Sequence, residues 1–173
     1  MWYQGKTHVC GEIGINHNGS IETAKALIDA AAWAGADSVK LQKRAVEEDI
    51  PAHMLDVQRE TPWGLISYLD YKRRLEFTPA QCEELWHYAS KRGIPLFWSV
   101  WSTTAYISLK ERVDPWAWKV PSAKLTTTAL IQNLASSLAR RKKDAVLILS
   151  TGGSTDQQVH TAMQAASQHP DII

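Results

Sequence analysis

The sequence predicts an α/β protein built around a parallel sheet. Segments with strand periodicity and segments with helix periodicity alternate five times along the 173 residues, and repeated units of this kind form parallel sheets with right-handed crossovers. The last strand segment, residues 145–149, is a near-continuous apolar run, which is typical of a strand covered on both faces. One helix start is marked by Thr78 as N-cap, Pro79 at the first helical position and Gln81 completing a capping box.

The predicted elements follow one another in a regular order. The predicted strands are residues 7–13, 38–42, 96–100, 117–120 and 145–149. Three predicted helices are marked by a cap or a stop residue: one follows the N-cap Ser20 and ends at Gly35, one runs from Thr78 to Gly93, and the last begins at Ser154 with Gln157 as its third helical residue. The other predicted helices cover about 65–75, 103–112 and 128–139. Residues 43–77 form a connection much longer than usual. This insert is predicted to be either an active-site loop or a variable surface excursion.

Two architectures fit this order. An open doubly wound sheet of five strands is complete at this length, whereas a (β/α)8 barrel needs eight units and usually about 250 residues. The second strand alternates, with Val39 and Leu41 on one face and Lys40 on the other. An inward-facing lysine within a polar cluster drawn from all five strands favours the barrel. We therefore predict a partial TIM-type (β/α)8 barrel with about five of its eight strand–helix units.

Polar side chains gather at the carboxyl ends of the predicted strands, where both architectures place their chemistry. They are Glu12, Lys40, Gln42, Ser99, Lys119, Ser122, Ser150 and Thr151. A buried lysine is costly unless its charge is matched, so Lys40 and Lys119 indicate a bound anion, and pairing with Glu12 is the alternative. No glycine-rich phosphate loop of the Walker or Rossmann type occurs. Residues 16–19 are predicted to form a turn in which His17 is not a metal ligand.

The composition excludes several classes of function. Hydrophobic residues make up 45% and charged residues 21% of the chain, and the net charge of +1 gives no overall field that would favour nucleic acid or an anionic membrane. No apolar run approaches the roughly 18 residues of a membrane span. Cys10 and Cys82 lie in apolar-periodic segments without zinc spacing and are predicted to be buried, reduced thiols of a cytoplasmic protein.

Five short motifs occur in a fixed order between about residues 8 and 155. They are EIGINHNG at 12–19, AGADSVKLQ at 34–42, TPWG at 61–64 followed by Tyr68 and Tyr71-Lys72, WKVPSA at 118–123 and LSTG at 149–152. Each resembles the matching segment of the sialic acid synthase family. One motif alone is weak, but the five together in this order are specific.

The resemblance implies a fold, a reaction and partners. The family has a barrel catalytic domain, often followed by a small antifreeze-like domain, and is dimeric. It joins phosphoenolpyruvate to an open-chain N-acetyl sugar aldehyde of the N-acetylmannosamine type, and phosphate leaves after water attacks the intermediate. A divalent metal (Mn²⁺ or Mg²⁺) is expected as Lewis acid. The resemblance therefore implies a carbon–carbon bond-forming transferase of carbohydrate biosynthesis, with no nucleic-acid or membrane partner.

The motif positions carry over to individual residues. Glu12 resembles the family's acidic residue near the reacting groups and is the predicted catalytic residue. The predicted phosphoenolpyruvate-binding residues are Lys40, Gln42, Lys119, Ser122 and Ser150. Lys124 stands where the family usually has an acid. The family's metal-binding histidines lie in later strands, and nothing after Ser154 resembles them, so no metal ligand is predicted in this chain.

Residues 1–173 are therefore expected to be the N-terminal part of such a barrel, without its last strands and antifreeze-like domain and without turnover of its own. The alternatives are a non-catalytic fragment or phosphoenolpyruvate-binding module, a complete five-stranded binding domain, and a legionaminic or pseudaminic acid synthase.

Overall fold

The computed structural model of the protein describes residues 7–140 and 145–167. The strands are β1 (Cys10–Gly14), β2 (Ser38–Lys43), β3 (Gln58–Thr61), β4 (Gly64–Ser67), β5 (Leu96–Val100), β6 (Ala117–Val120) and β7 (Val146–Leu149). The α-helices are α1 (Ile21–Trp33), α2 (Val46–Asp49), α3 (Tyr68–Leu75), α4 (Pro79–Lys91), α5 (Thr103–Leu109), α6 (Thr128–Ala139) and α7 (Asp156–Ser167). Short 3₁₀ helices cover Ala52–Met54 and Ser122–Lys124. No helix in the described ranges is long and apolar enough to cross a bilayer.

Five strands form one parallel sheet in the order β1-β2-β5-β6-β7. Each strand is added beside the previous one in chain order, whereas a doubly wound sheet reverses direction at a switch point. The helices also pack in sequence, α1 on α4, α4 on α5, α5 on α6 and α6 on α7. Strands and helices that both advance in one direction form an arc of a TIM-type barrel, and the predicted fold class is confirmed with the barrel not closed.

The core lies between the sheet and these helices. Leu41, Trp98 and Trp118 come from three adjacent strands and are at most 2% exposed, and Trp118 meets Tyr106 of α5 edge to face at 5.6 Å. Strand residues that alternate with them point to the other face, where Lys40 and Lys119 lie. The period-2 pattern of β2 therefore predicted the orientation of the lysine correctly.

Some sequence expectations are wrong in detail. Helix α7 begins at Asp156, because Thr155 Oγ1 accepts from the Gln158 backbone N–H at 3.3 Å and Gln158 Oε1 accepts from the Thr155 N–H at 2.9 Å. This capping box lies one residue beyond the predicted one at Ser154. Cys82 is buried as predicted, whereas Cys10 is exposed, because β1 has no sheet neighbour on its outer side in the described chain.

The insert 43–77 contains an antiparallel hairpin that the sequence did not predict. β3 and β4 pair from Gln58↔Ser67 to Thr61↔Gly64, and the tight turn uses Gly64 at φ +91. Both hairpin strands are largely exposed, so they lack the apolar alternation by which strands are recognised. The predicted helix at about 65–75 is present but begins at Tyr68.

A buried ion pair closes the base of this insert onto the sheet. Lys43, the last residue of β2, donates from Nζ to Glu76 Oε1 at 2.8 Å and to the Phe77 carbonyl at 2.7 Å. The same Glu76 oxygen accepts from the Arg44 backbone N–H at 3.1 Å. Both side chains are at most 15% exposed, and the two ends of the insert are therefore joined.

A second buried carboxylate, Asp49, joins three segments. Its Oδ2 accepts from the Ala45 backbone N–H at 2.9 Å and from Ser102 Oγ at 3.2 Å, and its Oδ1 lies 3.3 Å from Lys124 Nζ. The Asp49 side chain is 1% exposed and that of Lys124 25%. Lys124 thus supplies the charge that a buried carboxylate requires, which gives a structural role to its departure from the family pattern.

The loop after β1 packs against the end of the insert. The His17 ring stacks on Phe77 with centroids 4.2 Å apart, and its Nδ1 accepts from the Gly19 N–H at 3.0 Å. A Cβ on Gly19 would lie 2.0 Å from the Arg74 carbonyl oxygen, and its φ is +76, so only glycine fits there. The predicted turn is confirmed, with His17 in a packing role.

Acid should lower the free energy of unfolding, because His17 is buried and its burial opposes protonation. Burial lowers the pKa of His17 from 6.5 to about 4, so the unfolded chain binds the extra proton between those two values. Its contribution to stability is complete above pH 6.5 and is lost as the pH falls towards 4. We expect His17→Asn to remove about 1–2 kcal/mol of the pH dependence of unfolding free energy between pH 7 and 5, as measured by urea unfolding. An unchanged slope in this variant, or an equal change in the exposed-site control His160→Asn, contradicts the assignment.

Removal of the Asp49 charge should leave Lys124 partly buried without its partner. Asp49→Asn should therefore lower the free energy of unfolding by about 2–4 kcal/mol, against less than about 1 kcal/mol for the exposed control Asp70→Asn. In a double-mutant cycle, Lys124→Met should show a coupling energy of about 1–3 kcal/mol with Asp49→Asn. Additive losses mean that the two residues do not form a pair.

Candidate functional site

The carboxyl end of the sheet carries an ion pair between adjacent strands. Glu12 of β1 and Lys40 of β2 are register partners, and Lys40 Nζ lies 2.6 Å from Glu12 Oε2. The Lys40 side chain is 8% exposed and that of Glu12 52%. The pairing alternative considered from the sequence is thus confirmed for Lys40. Because the carboxylate is half exposed, it is also accessible to a ligand or to water.

Lys119 of β6 adds a second cation to the same face. Burial lowers its pKa, the positive charge of Lys40 lowers it further, and Glu12 opposes this effect. The two ammonium groups therefore lie close enough to repel each other. In the described ranges no carboxylate lies within 4 Å of Lys119 Nζ, so Glu12 balances only one of the two charges. An arrangement of two cations and one carboxylate attracts an anion.

Gln42 extends this group of residues along β2. Gln42 of β2, Ser99 of β5 and Lys119 of β6 are successive register partners and share one layer across three strands. A Cβ on Gly14 would lie 2.7 Å from Glu12 Oε1 and 3.5 Å from Gln42 Nε2. Gly14 therefore leaves space between the carboxylate and the amide at the end of β1, where its φ of +57 also favours glycine.

The two predicted serines lie at the neighbouring strand ends. Ser150 follows β7 and its backbone N–H donates to the Val120 carbonyl at 3.1 Å. Ser122 follows β6, and its Oγ lies 3.9 Å from the position of a Cβ on Gly152. The structure thus links Glu12, Lys40, Gln42 and Lys119 through contacts and electrostatics. It places Ser122 and Ser150 at the same edge of the sheet, beyond Lys119.

Sequence reasoning missed Arg44, which lies beside this group. Its Nη2 donates to Gln42 Oε1 at 2.6 Å, and its guanidinium lies 3.9 Å from the centroid of the Trp101 ring. Arg44 is 8% exposed. The available signal was the pair Lys43-Arg44 directly after the second strand, because two successive cations at a strand end are unusual for a solvated surface.

Metal ligands are not brought together in residues 7–140 and 145–167. No group of three or more histidine, cysteine, aspartate or glutamate side chains there is arranged to hold a metal ion. His17, the histidine of the first motif, is 3% exposed and packs on Phe77. The residues described here therefore do not fit the divalent metal implied by the resemblance, and no chemical step is derived through it.

A cavity of about 270 Å³ lies elsewhere, at the amino end of the sheet. Trp86, Ile94, Leu96 and Trp116 are among its lining residues. In parallel α/β barrels that end serves stability and the carboxyl end serves chemistry. The group around Lys40 and Lys119 remains the candidate site.

The chain is similar to enzymes that make sialic acids and related sugars. It is 40% identical to the mouse N-acetylneuraminate-9-phosphate synthase over 54% of this chain and 27% of that protein. It is 30% identical to the N,N'-diacetyllegionaminic acid synthase of Campylobacter jejuni over 91% of this chain and 46% of that protein. The chain thus spans less than half the length of these relatives.

The solved structures agree with the fold. A sialic acid synthetase from Leptospira borgpetersenii matches with a TM-score of 0.79 at 22% identity, over 96% of this chain and 53% of that chain. At this identity the match supports the fold alone. The profile of the NeuB family matches residues 27–172, which cover four of the five parallel strands. The chain therefore belongs to the NeuB family.

Proposed function

We propose that this chain forms the phosphoenolpyruvate-binding part of a nonulosonic acid synthase, which condenses phosphoenolpyruvate with an N-acetylated sugar aldehyde and releases phosphate. The observation that supports this most is the pair of lysines, Lys40 and Lys119, on the concave side of the sheet with one carboxylate between two positive charges. Phosphoenolpyruvate carries both a phosphate and a carboxylate. Two preorganised ammonium groups in a partly desolvated site bind such an anion well.

Each predicted residue has a role in this reaction. Lys40 and Lys119 bind the phosphate and carboxylate, and Gln42, Ser122 and Ser150 orient the ligand through hydrogen bonds. Phosphoenolpyruvate competes with Glu12 for Lys40, so its binding releases the half-exposed carboxylate. The methylene carbon of phosphoenolpyruvate then bonds to the aldehyde carbon as the carbonyl π bond breaks, which leaves an alkoxide on the sugar and an oxocarbenium at the former enol carbon. Water adds to that carbon, and one of its protons reaches the alkoxide by way of a carboxylate. The tetrahedral intermediate collapses to the ketone as its C–O bond to the phosphorus-bound oxygen breaks, and phosphate leaves with the remaining hydroxyl proton. Glu12 accepts the proton of that water.

The divalent metal is proposed for the whole protein, where it would polarise the aldehyde. Its ligands are proposed to lie outside residues 7–140 and 145–167. Homodimer formation and a cytoplasmic location are also proposals that follow from the family. The relatives are named for products that differ in the sugar, N-acetylneuraminate-9-phosphate in one case and N,N'-diacetyllegionaminic acid in another. Family membership therefore leaves the acceptor sugar to be determined from the site.

Loss of either strand-end lysine should weaken phosphoenolpyruvate binding. Lys40→Met and Lys119→Met each remove one charge-assisted contact, which typically costs about 1.5–3 kcal/mol and raises Kd about tenfold to a hundredfold. Isothermal titration calorimetry of the purified chain with phosphoenolpyruvate measures this. The control Lys91→Met removes an exposed lysine on α4, far from the carboxyl end of the sheet, and should leave Kd unchanged.

Circular dichroism and urea unfolding should show that each variant is folded. Equal affinities in both site variants and the unsubstituted chain would refute the lysine assignment. An equal loss in Lys91→Met would show that net charge, and not a site, attracts the ligand.

A further inference from the structure

The insert brings a second group of cations to the edge of the site. Arg44 follows β2, Arg59 lies on β3 and Lys72 lies on α3. Arg59 and Lys72 lie over the rings of Tyr68 and Tyr71, and the charges of Arg44 and Arg59 both act on Lys72. We call Arg44, Arg59 and Lys72 the insert cation cluster. None of the three was predicted as a site residue, and the reaction proposed above uses none of them.

The contacts define a shared aromatic surface. Lys72 Nζ lies 5.1 Å from the centroids of both Tyr68 and Tyr71. The Arg59 guanidinium lies 5.8 Å from the first ring and 5.1 Å from the second. Two cations thus use the same pair of rings, which offers each a favourable cation–π contact but does not neutralise its charge.

The positive charge of this cluster exceeds the nearby negative charge. Burial lowers the pKa of Lys72 to about 8, and the positive charges of Arg44 and Arg59 add to this effect against Glu76. Oε1 of Glu76 already accepts from Lys43 Nζ and from the Arg44 backbone N–H. Within the two described ranges, no carboxylate lies within 4 Å of a nitrogen of the three cluster side chains. Glu76 and Asp49 also act on Arg44, but these carboxylates are already paired with Lys43 and Lys124. Cations held together with too little counter-charge are costly in the absence of a ligand.

Packing alone does not explain the arrangement. An arginine or lysine on a tyrosine is a common surface contact, but Arg44 is 8% exposed and stacks on Trp101 while bonded to Gln42. Arg59 is exposed and Lys72 partly exposed, so the cluster combines a buried, fixed guanidinium with an open side for ligand entry. This combination is that of an anion site.

The cluster lies next to the proposed phosphoenolpyruvate site and is separated from it by Gln42. Gln42 Oε1 accepts from Arg44, while its Nε2 faces the space beside Glu12 at the end of β1. Lys40 and Arg44 are four residues apart on one extended segment, roughly 13 Å along the chain. An open-chain acceptor sugar with its aldehyde towards Lys40 and Glu12 would extend along this direction past Gln42 towards Arg44.

From this placement we infer that the insert cation cluster binds a phosphate monoester at the far end of the acceptor sugar, so that the substrate is an N-acyl sugar phosphate and not the neutral sugar. This inference rests on the proposed function for the identity of the first substrate. It adds a second anion site formed by residues of the insert. Arg44 provides a planar donor held by Trp101 and Gln42, and Lys72 and Arg59 close on the phosphate from α3 and β3.

The test compares ligands on the full 173-residue chain by isothermal titration calorimetry. The ligands are N-acetylmannosamine, N-acetylmannosamine 6-phosphate, inorganic phosphate and phosphoenolpyruvate. We expect the sugar phosphate to bind at least about tenfold more tightly than either the sugar or inorganic phosphate. Lys72→Gln and Arg59→Gln should each raise the Kd of the sugar phosphate about tenfold to a hundredfold and leave that of phosphoenolpyruvate unchanged.

The matched control is Lys91→Gln, which removes an exposed lysine of α4 and should leave both Kd values unchanged. Arg59→Gln changes an exposed residue, so this arm remains informative if Lys72→Gln fails to fold. Sugar-phosphate binding that persists when phosphoenolpyruvate fails to bind supports the second site and refutes the proposed function. Phosphoenolpyruvate binding without a preference for the phosphorylated sugar overturns the inference alone. Inorganic phosphate that binds as tightly as the sugar phosphate, or an equal loss in Lys91→Gln, also overturns it.

Discussion

Positive charge on the concave side of a parallel sheet is the constraint on which the site depends. Lys40 is almost removed from water, and an ammonium group in such a place must be matched by negative charge. Glu12 meets this need at 2.6 Å from the neighbouring strand. Lys119 brings a second charge that the same carboxylate does not neutralise. The group formed by Lys40, Lys119 and Glu12 therefore has one positive charge in excess at the carboxyl end of the sheet, which the proposed anionic ligand would balance.

The insert is held against that end by two further matched charges. Lys43 and Glu76 join the base of the insert, and Asp49 joins its first helix to the loops after β5 and β6 through Ser102 and Lys124. Lys43 and Asp49 are buried and each has several partners, which is how a buried charge becomes acceptable. Because both anchors lie beside the strand ends, they place the insert over the site and not away from it. Lys124 is thus part of the support of the site.

Family membership and local geometry answer different questions here. The NeuB profile identifies the family, and the fold agrees with the solved sialic acid synthetase. They do not identify an acceptor sugar, because the similar synthases are named for different products. The insert around Arg44 and Lys72 adds cations of its own beside the strand-end lysines, and our inference assigns the choice of acceptor to it.

The sequence by itself determined the order of strands and helices, the barrel-type fold and the inward direction of Lys40. The order of elements and the direction of Lys40 follow from local periodicity and cap chemistry, as in the start of α4 after Thr78, whereas the barrel was favoured over an open sheet by the polar cluster at the strand ends. It also indicated Glu12, Lys40, Gln42, Lys119, Ser122 and Ser150, since the carboxyl ends of parallel strands meet at one edge. It did not predict the hairpin of β3 and β4, whose exposed strands lack alternation. Only the tertiary structure decided which cations pair with Glu12, Asp49 and Glu76, because each of these carboxylates pairs with a lysine from a segment distant in sequence. The same holds for Arg59 and Lys72, which share one pair of tyrosine rings, and for Arg44, which stacks on Trp101.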